Sequence, residues 1–99
     1  MSDGGLITYV VQSGAHAHHH PDPFNPDILH LSIVNACLSA GSPHGYAESI
    51  ARRVVGDVEV WLKGRPEVTT DDIRRTTSRS LKTYHPDASY LYEHHRTTL

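Results

Sequence analysis

The chain has 99 residues, with nine Lys plus Arg, eleven Asp plus Glu and nine His, for a net charge of −2 when His is neutral. This length predicts one domain with a modest core, and the charge balance lacks the basic excess of direct nucleic-acid binders. A single cysteine, Cys37, excludes an internal disulfide framework and fits a reducing compartment. We expect a cytoplasmic protein, since neither a leader-like start nor an apolar run of about 20 residues is present.

The first predicted element is a β-hairpin over residues 6–24. The run LITYVV at 6–11 is rich in β-branched and aromatic residues, which favour a strand. QSG at 12–14 follows as a turn, and AHAHHHPDP at 15–23 returns. Two strands alone are marginally stable, so this hairpin must pack against the remainder of the chain.

Two helices are predicted next, over residues 25–40 and 43–63. Asn25 and Pro26 form a typical helix start, and apolar residues then recur at helical spacing up to Gly41. Ser42 and Pro43 repeat the start signal, and a long apolar stripe extends to Gly64. Gly56, inside this stripe, is expected to mark close packing or a bend, because glycine weakens a helix interior.

Two more helices are predicted, over residues 70–83 and 86–97. Thr69 and Asp72 have the spacing of a capping box, with Asp in place of the usual Glu or Gln. The sequence YHPD at 84–87 separates the two helices. The prediction is therefore a single, mainly α domain over residues 1–99, in which a short N-terminal hairpin precedes a four-helix bundle.

Three stretches carry a family resemblance: FNPDILHLSIVNAC (24–37), EVTTDDIRR (67–75) and HPDASYLYEHHR (85–96). In this order and spacing they resemble the ATP-cone, a nucleotide-sensing domain of ribonucleotide reductases and of the repressor of their genes. The resemblance covers roughly Ile7 to Arg96. It implies a four-helix ATP-cone-like bundle that binds ATP or dATP with Mg²⁺ and regulates a partner without catalysing a reaction.

The resemblance also implies a set of nucleotide-binding positions: Val10, Val11 and Gln12 on the first strand, and His30, Thr70 and Arg74 on the helices. In the family, Lys and Arg contact the phosphates where this chain has Val11 and Gln12, and a Lys is common at the position of Ile28. Three of these residues also have an interpretation that involves no nucleotide. Thr70 shares a helix cap with Thr69, Arg74 belongs to a solvated face, and His30 is a partly buried surface residue.

The histidine-rich stretch supports a different site. His16, His18 and His20 share one face if the segment is extended, and three imidazoles suit zinc, nickel or copper. One alternative is a solvated hairpin with fortuitous metal affinity. Another is that the histidines replace the missing phosphate-binding cations, which they can do only below about pH 6.5.

The function expected from these observations is a stand-alone, ATP-cone-like regulator that acts in trans on ribonucleotide reductase or on the transcription of its genes. No motif places a nucleophile beside a base, so we expect no enzymatic activity. The alternatives are a protein–protein adaptor that kept the fold without the nucleotide, and a His-rich metal-binding module. We also expect a homo-oligomer, as in cones.

Overall fold

The computed structural model describes residues 7–12 and 21–94, and it is mainly helical with a short strand pair before the helices, as predicted. The strands are β1 (Tyr9–Val11), β2 (Asp22–Pro23) and β3 (Glu67–Thr69). The helices are α1 (Pro26–Ser39), α2 (His44–Leu62), α3 (Thr70–Tyr84) and α4 (Pro86–His94). Within the described ranges, no helix is both long enough and apolar enough to cross a bilayer.

The start of α1 is fixed by the predicted cap. Asn25 Oδ1 accepts the backbone N–H groups of Asp27 and Ile28 at 2.9 and 3.4 Å, which satisfies two of the donors that a helix start leaves unpaired. The start of α2 differs from the prediction, because its N-cap is Pro43 and no side chain caps it. Ser42 instead hydrogen-bonds to His85.

The four helices enclose one core. Helix α1 packs against α2 and α4, and α3 packs against the same two helices. Ile33, Val54 and Leu81 are completely buried there, and burial of side chains of this size contributes about 1.5–3 kcal/mol each. Helix α2 passes through Gly56 without interruption, and a Cβ at Gly56 would meet nothing within 4 Å. The expectation of close packing at this glycine was therefore wrong.

The sheet contains one strand that the sequence analysis did not predict. Strand β1 pairs antiparallel with β2, as the hairpin requires, and parallel with β3 on its other side. Helices α1 and α2 supply the long crossover that parallel neighbours need. Tyr9 N–H also donates to Pro66 O at 2.9 Å. The hairpin therefore packs onto the bundle through β3, whose last residue precedes α3 directly.

Candidate functional site

A cavity of about 270 Å³ lies where the sheet meets the first turns of α1 and α3. We call it the hairpin cavity. Its lining includes Val10, Gln12, Asp22, Ile28, Leu29 and Thr70. Its volume is just below the roughly 300–1,000 Å³ of typical ligand pockets, so it suits part of a ligand the size of a nucleotide.

Strand alternation decides which residues of the first strand reach this cavity. Successive side chains of an extended chain point to opposite faces, so Val10 and Gln12, the residue directly after β1, share one face. Val10 lies opposite Asp22 on β2 and Val68 on β3. Val11 lies opposite Thr69 and is not part of the lining. The structure thus brings Val10 and Gln12 to the cavity and leaves Val11 on the other face.

Thr70 reaches the cavity because the capping box places it. Thr69 is the N-cap of α3: its Oγ1 accepts the Asp72 N–H at 3.0 Å, and Asp72 Oδ2 accepts the Thr69 N–H at 3.1 Å. The backbone hydrogen bond from Thr69 holds the pKa of Asp72 below its usual range, with the Thr69 hydroxyl and nearby Arg75 assisting. The cap contacts belong to Thr69, and Thr70, the first residue of α3, lines the cavity.

His30 and Arg74 lie outside the lining of the hairpin cavity. His30 Nε2 is 2.7 Å from Glu48 Oε1, so it joins α1 to α2. This hydrogen bond is the main cause that lowers the pKa of Glu48. Arg74 lies one turn beyond Thr70 on α3, and its guanidinium donates to Asp71 Oδ1 at 2.8 Å.

The charge of the hairpin cavity matters for what it can bind. Among its described lining residues, Asp22 is the only one with a charged side chain, and it is an anion. Among these described residues, the phosphate-binding cations of ATP-cones therefore have no counterpart. The cavity offers an apolar wall from Val10, Ile28 and Leu29, with polar groups from Gln12 and Thr70. This combination suits a nucleobase or a nucleoside better than a triphosphate.

Several lining residues were not identified from the sequence. Asp22 and Asn25 belong to the lining although neither was among the predicted nucleotide-binding positions. The pairing of Val10 with Asp22 could have indicated the first, since both face the same side of the hairpin. Ile28 was noted only as the replacement for a lysine, and it is 47% exposed at the cavity.

The predicted metal ligands His16, His18 and His20 lie outside the described residues. Across residues 7–12 and 21–94, no group of three or more His, Cys, Asp or Glu side chains is arranged to hold a metal ion. Cys37 is fully buried in the core, and burial raises the pKa of its thiol. It is therefore a protonated packing residue on α1.

Two buried hydroxyls lie on α3 and α4. The hydroxyls of Thr77 and Tyr92 are both buried, and within the described part of the chain neither meets the geometry of a hydrogen bond. Burial raises the pKa of Tyr92, and the nearby Thr77 hydroxyl and Arg74 charge oppose that rise. The phenol is therefore neutral over the physiological pH range.

Comparison of the chain with family models, with curated proteins and with solved structures finds no match.

Proposed function

We propose that this protein is a regulatory module that binds the nucleoside part of ATP, dATP or a related nucleotide in the hairpin cavity. It would act in trans on ribonucleotide reductase or on the regulation of nucleotide metabolism, as the resemblance to the ATP-cone implies. One observation carries the proposal. Val10 and Gln12 line the same cavity as Thr70, which is far from them in the sequence, and all three are nucleotide positions that the resemblance implies.

The lining supplies the two kinds of contact that a base needs. Val10, Ile28 and Leu29 offer apolar surface for the faces of the ring. The Gln12 amide both donates and accepts hydrogen bonds, and the Thr70 hydroxyl does the same. Together they suit the mixed donor and acceptor edge of adenine or the hydroxyls of the sugar.

The phosphates of a bound nucleotide would extend out of the hairpin cavity. Its volume of about 270 Å³ suits part of a nucleoside triphosphate, and the Asp22 carboxylate repels an unscreened triphosphate. Mg²⁺ on the phosphates reduces that repulsion. We therefore expect adenosine to retain most of the affinity of ATP, in contrast to sites whose binding depends on Lys and Arg.

Regulation follows from the position of the cavity between the sheet and the helices. A ligand that contacts both β1 and α3 favours whichever arrangement keeps those elements together. Its effect is limited by its differential affinity for the two arrangements. The partner would respond to the arrangement of the hairpin on the bundle, without contacting the nucleotide.

Thermal unfolding tests the proposal with adenosine, ATP and dATP, each with and without Mg²⁺. Ligand at 100 times its dissociation constant adds about 2.7 kcal/mol, a rise of several degrees in Tm for a domain of this size. Gln12→Ala and Thr70→Val should each abolish most of the shift. Thr83→Val, an exposed threonine on the same helix, is the matched control. No shift with any of the ligands, or equal loss in the control, would refute nucleoside binding in this cavity.

The adaptor alternative is favoured by the outer face of α1. Ile28, Leu31 and Leu38 are 47%, 59% and 39% exposed on this helix. An apolar face of this kind suits burial against a second copy of the chain. Size-exclusion chromatography with light scattering tests it: an oligomer that Leu31→Lys dissociates, in a protein that binds no nucleoside, would replace the sensor proposal by the adaptor.

A further inference from the structure

A second cavity, of about 520 Å³, lies between the start of β1 and the loop that joins α2 to β3. We call it the basic cavity. Its lining includes Ile7, Phe24, Leu62, Lys63, Arg65 and Glu59. Its volume falls well within the range of pockets that enclose a small organic ligand. It is separate from the nucleoside contacts at Gln12 and Thr70, which line only the hairpin cavity.

The wall of the basic cavity is held in place by the sheet. Gly64 has φ +79°, which lets the chain turn sharply after α2. The Thr8 hydroxyl then donates to the carbonyl of Arg65 at 2.8 Å, and the Tyr9 N–H donates to the carbonyl of Pro66. These bonds fix the loop against β1, so the cavity is preformed.

Lys63 and Arg65, both exposed, belong to the lining of this largely apolar cavity. Arg65 Nε donates to the Trp61 carbonyl at 2.9 Å, and its guanidinium lies 4.5 Å from the centre of the indole ring. These contacts orient the guanidinium, whose charge also contributes to the lowered pKa of Asp72. In the described ranges, neither Lys63 nor Arg65 forms an ion pair with a carboxylate.

Glu59 sets the charge that the basic cavity tolerates. With Lys63 and Arg65 it leaves the lining one positive charge in excess. A monoanion neutralises that excess positive charge. A dianion leaves one negative charge uncompensated, which the Glu59 carboxylate repels. Arg65 can donate two parallel N–H hydrogen bonds to a carboxylate, and Lys63 adds a point charge.

We propose that the basic cavity binds a small amphipathic monocarboxylate. The apolar body of this ligand packs against Ile7, Phe24 and Leu62, and its carboxylate group binds Lys63 and Arg65. The assignment does not depend on nucleotide binding, because it uses a different set of polar residues.

Trp61 gives a direct readout, because it is the only tryptophan of the chain and stacks on Arg65. The full chain is titrated with 4-phenylbutyrate, with the neutral 4-phenylbutanamide and with phenyl phosphate, by Trp fluorescence and by calorimetry. We expect saturable binding of 4-phenylbutyrate, about tenfold or more tighter than the amide, since one charge-assisted hydrogen bond accounts for such a factor. Phenyl phosphate should bind more weakly than the carboxylate.

Variants assign the binding to this cavity. Lys63→Gln and Arg65→Gln should each weaken 4-phenylbutyrate about tenfold, and Glu59→Gln should strengthen phenyl phosphate. Lys82→Gln, an exposed lysine near the end of α3, is the matched control and should change nothing. Calorimetry provides the affinity for Arg65→Gln, because this change alters the surroundings of Trp61 itself. Equal affinity for acid and amide, tighter binding of phenyl phosphate, or unchanged affinity in both cation variants would overturn the proposal.

Discussion

The capping box at the start of α3 links the stability of the fold to the candidate site, and Thr69→Ala tests that link. The substitution removes the Oγ1 that accepts the Asp72 N–H at 3.0 Å. Loss of an N-cap threonine costs about 1 kcal/mol, within a range of about 0.5–2. For a domain of this size, Tm should fall by about 4–8 °C per kcal/mol. Thr83→Ala, on the exposed last turn of α3, should leave Tm nearly unchanged.

The pH dependence of Asp72→Asn separates the carboxylate from the hydroxyl. The folded state lowers the pKa of Asp72, chiefly through the backbone N–H of Thr69. A lowered pKa contributes stability that is present above the unfolded value of about 3.9 and is lost as pH falls through the folded value. The difference in unfolding free energy between wild type and Asp72→Asn should therefore be largest near neutral pH and shrink below about pH 4.

Chemical denaturation of these variants at several pH values measures both effects. Thr69→Ala should also weaken adenosine binding, because Thr70 would lose its fixed place at the first residue of α3. A Tm unchanged by Thr69→Ala would show that the capping box does not hold this helix start. A difference between wild type and Asp72→Asn that persists undiminished at pH 2 would contradict the assigned hydrogen bond.

Two further predictions concern buried polar groups and glycines. Tyr92→Phe removes a buried hydroxyl that has no hydrogen-bond partner among residues 7–12 and 21–94. Thermal unfolding should therefore show that the stability is unchanged or raised by up to about 1 kcal/mol. A clear loss of stability would contradict the absence of a hydrogen bond. Gly56→Ala should stabilise the protein by about 1 kcal/mol, since it lies inside α2 with open space at its Cβ position. Gly64→Ala should destabilise the protein by about 1–2 kcal/mol, because φ at this residue is +79°. Denaturation midpoints that moved in the same direction for the two glycine variants would refute this contrast.

The helices could be predicted because their signals are local. Asn25 and Thr69 cap α1 and α3 through contacts within the next three residues, so the sequence alone reveals them. At Ser42 the local pattern predicts the wrong hydrogen-bond partner. Its local pattern matches a cap, yet its hydroxyl lies 2.8 Å from His85 Nε2. That partner is available only because α1 and α4 pack together.

The third strand could not be predicted, for a similar reason. β3 has three residues, too few to show a period, and its pairing with β1 depends on the crossover through α1 and α2. Part of the candidate site could be predicted from the sequence. The period of a strand already separates Val11 from Val10 and Gln12. The pairing of His30 with Glu48 depends on how two helices pack, which their separate patterns do not specify.

The most direct test of nucleoside binding in the hairpin cavity is a ¹H–¹⁵N chemical-shift titration of the full chain with adenosine and then with ATP and Mg²⁺. We predict that both ligands shift the amides of Val10, Gln12 and Thr70 most strongly, with the same pattern. Shifts confined to Lys63 and Arg65, shifts with ATP alone, or no shift with either ligand would contradict it.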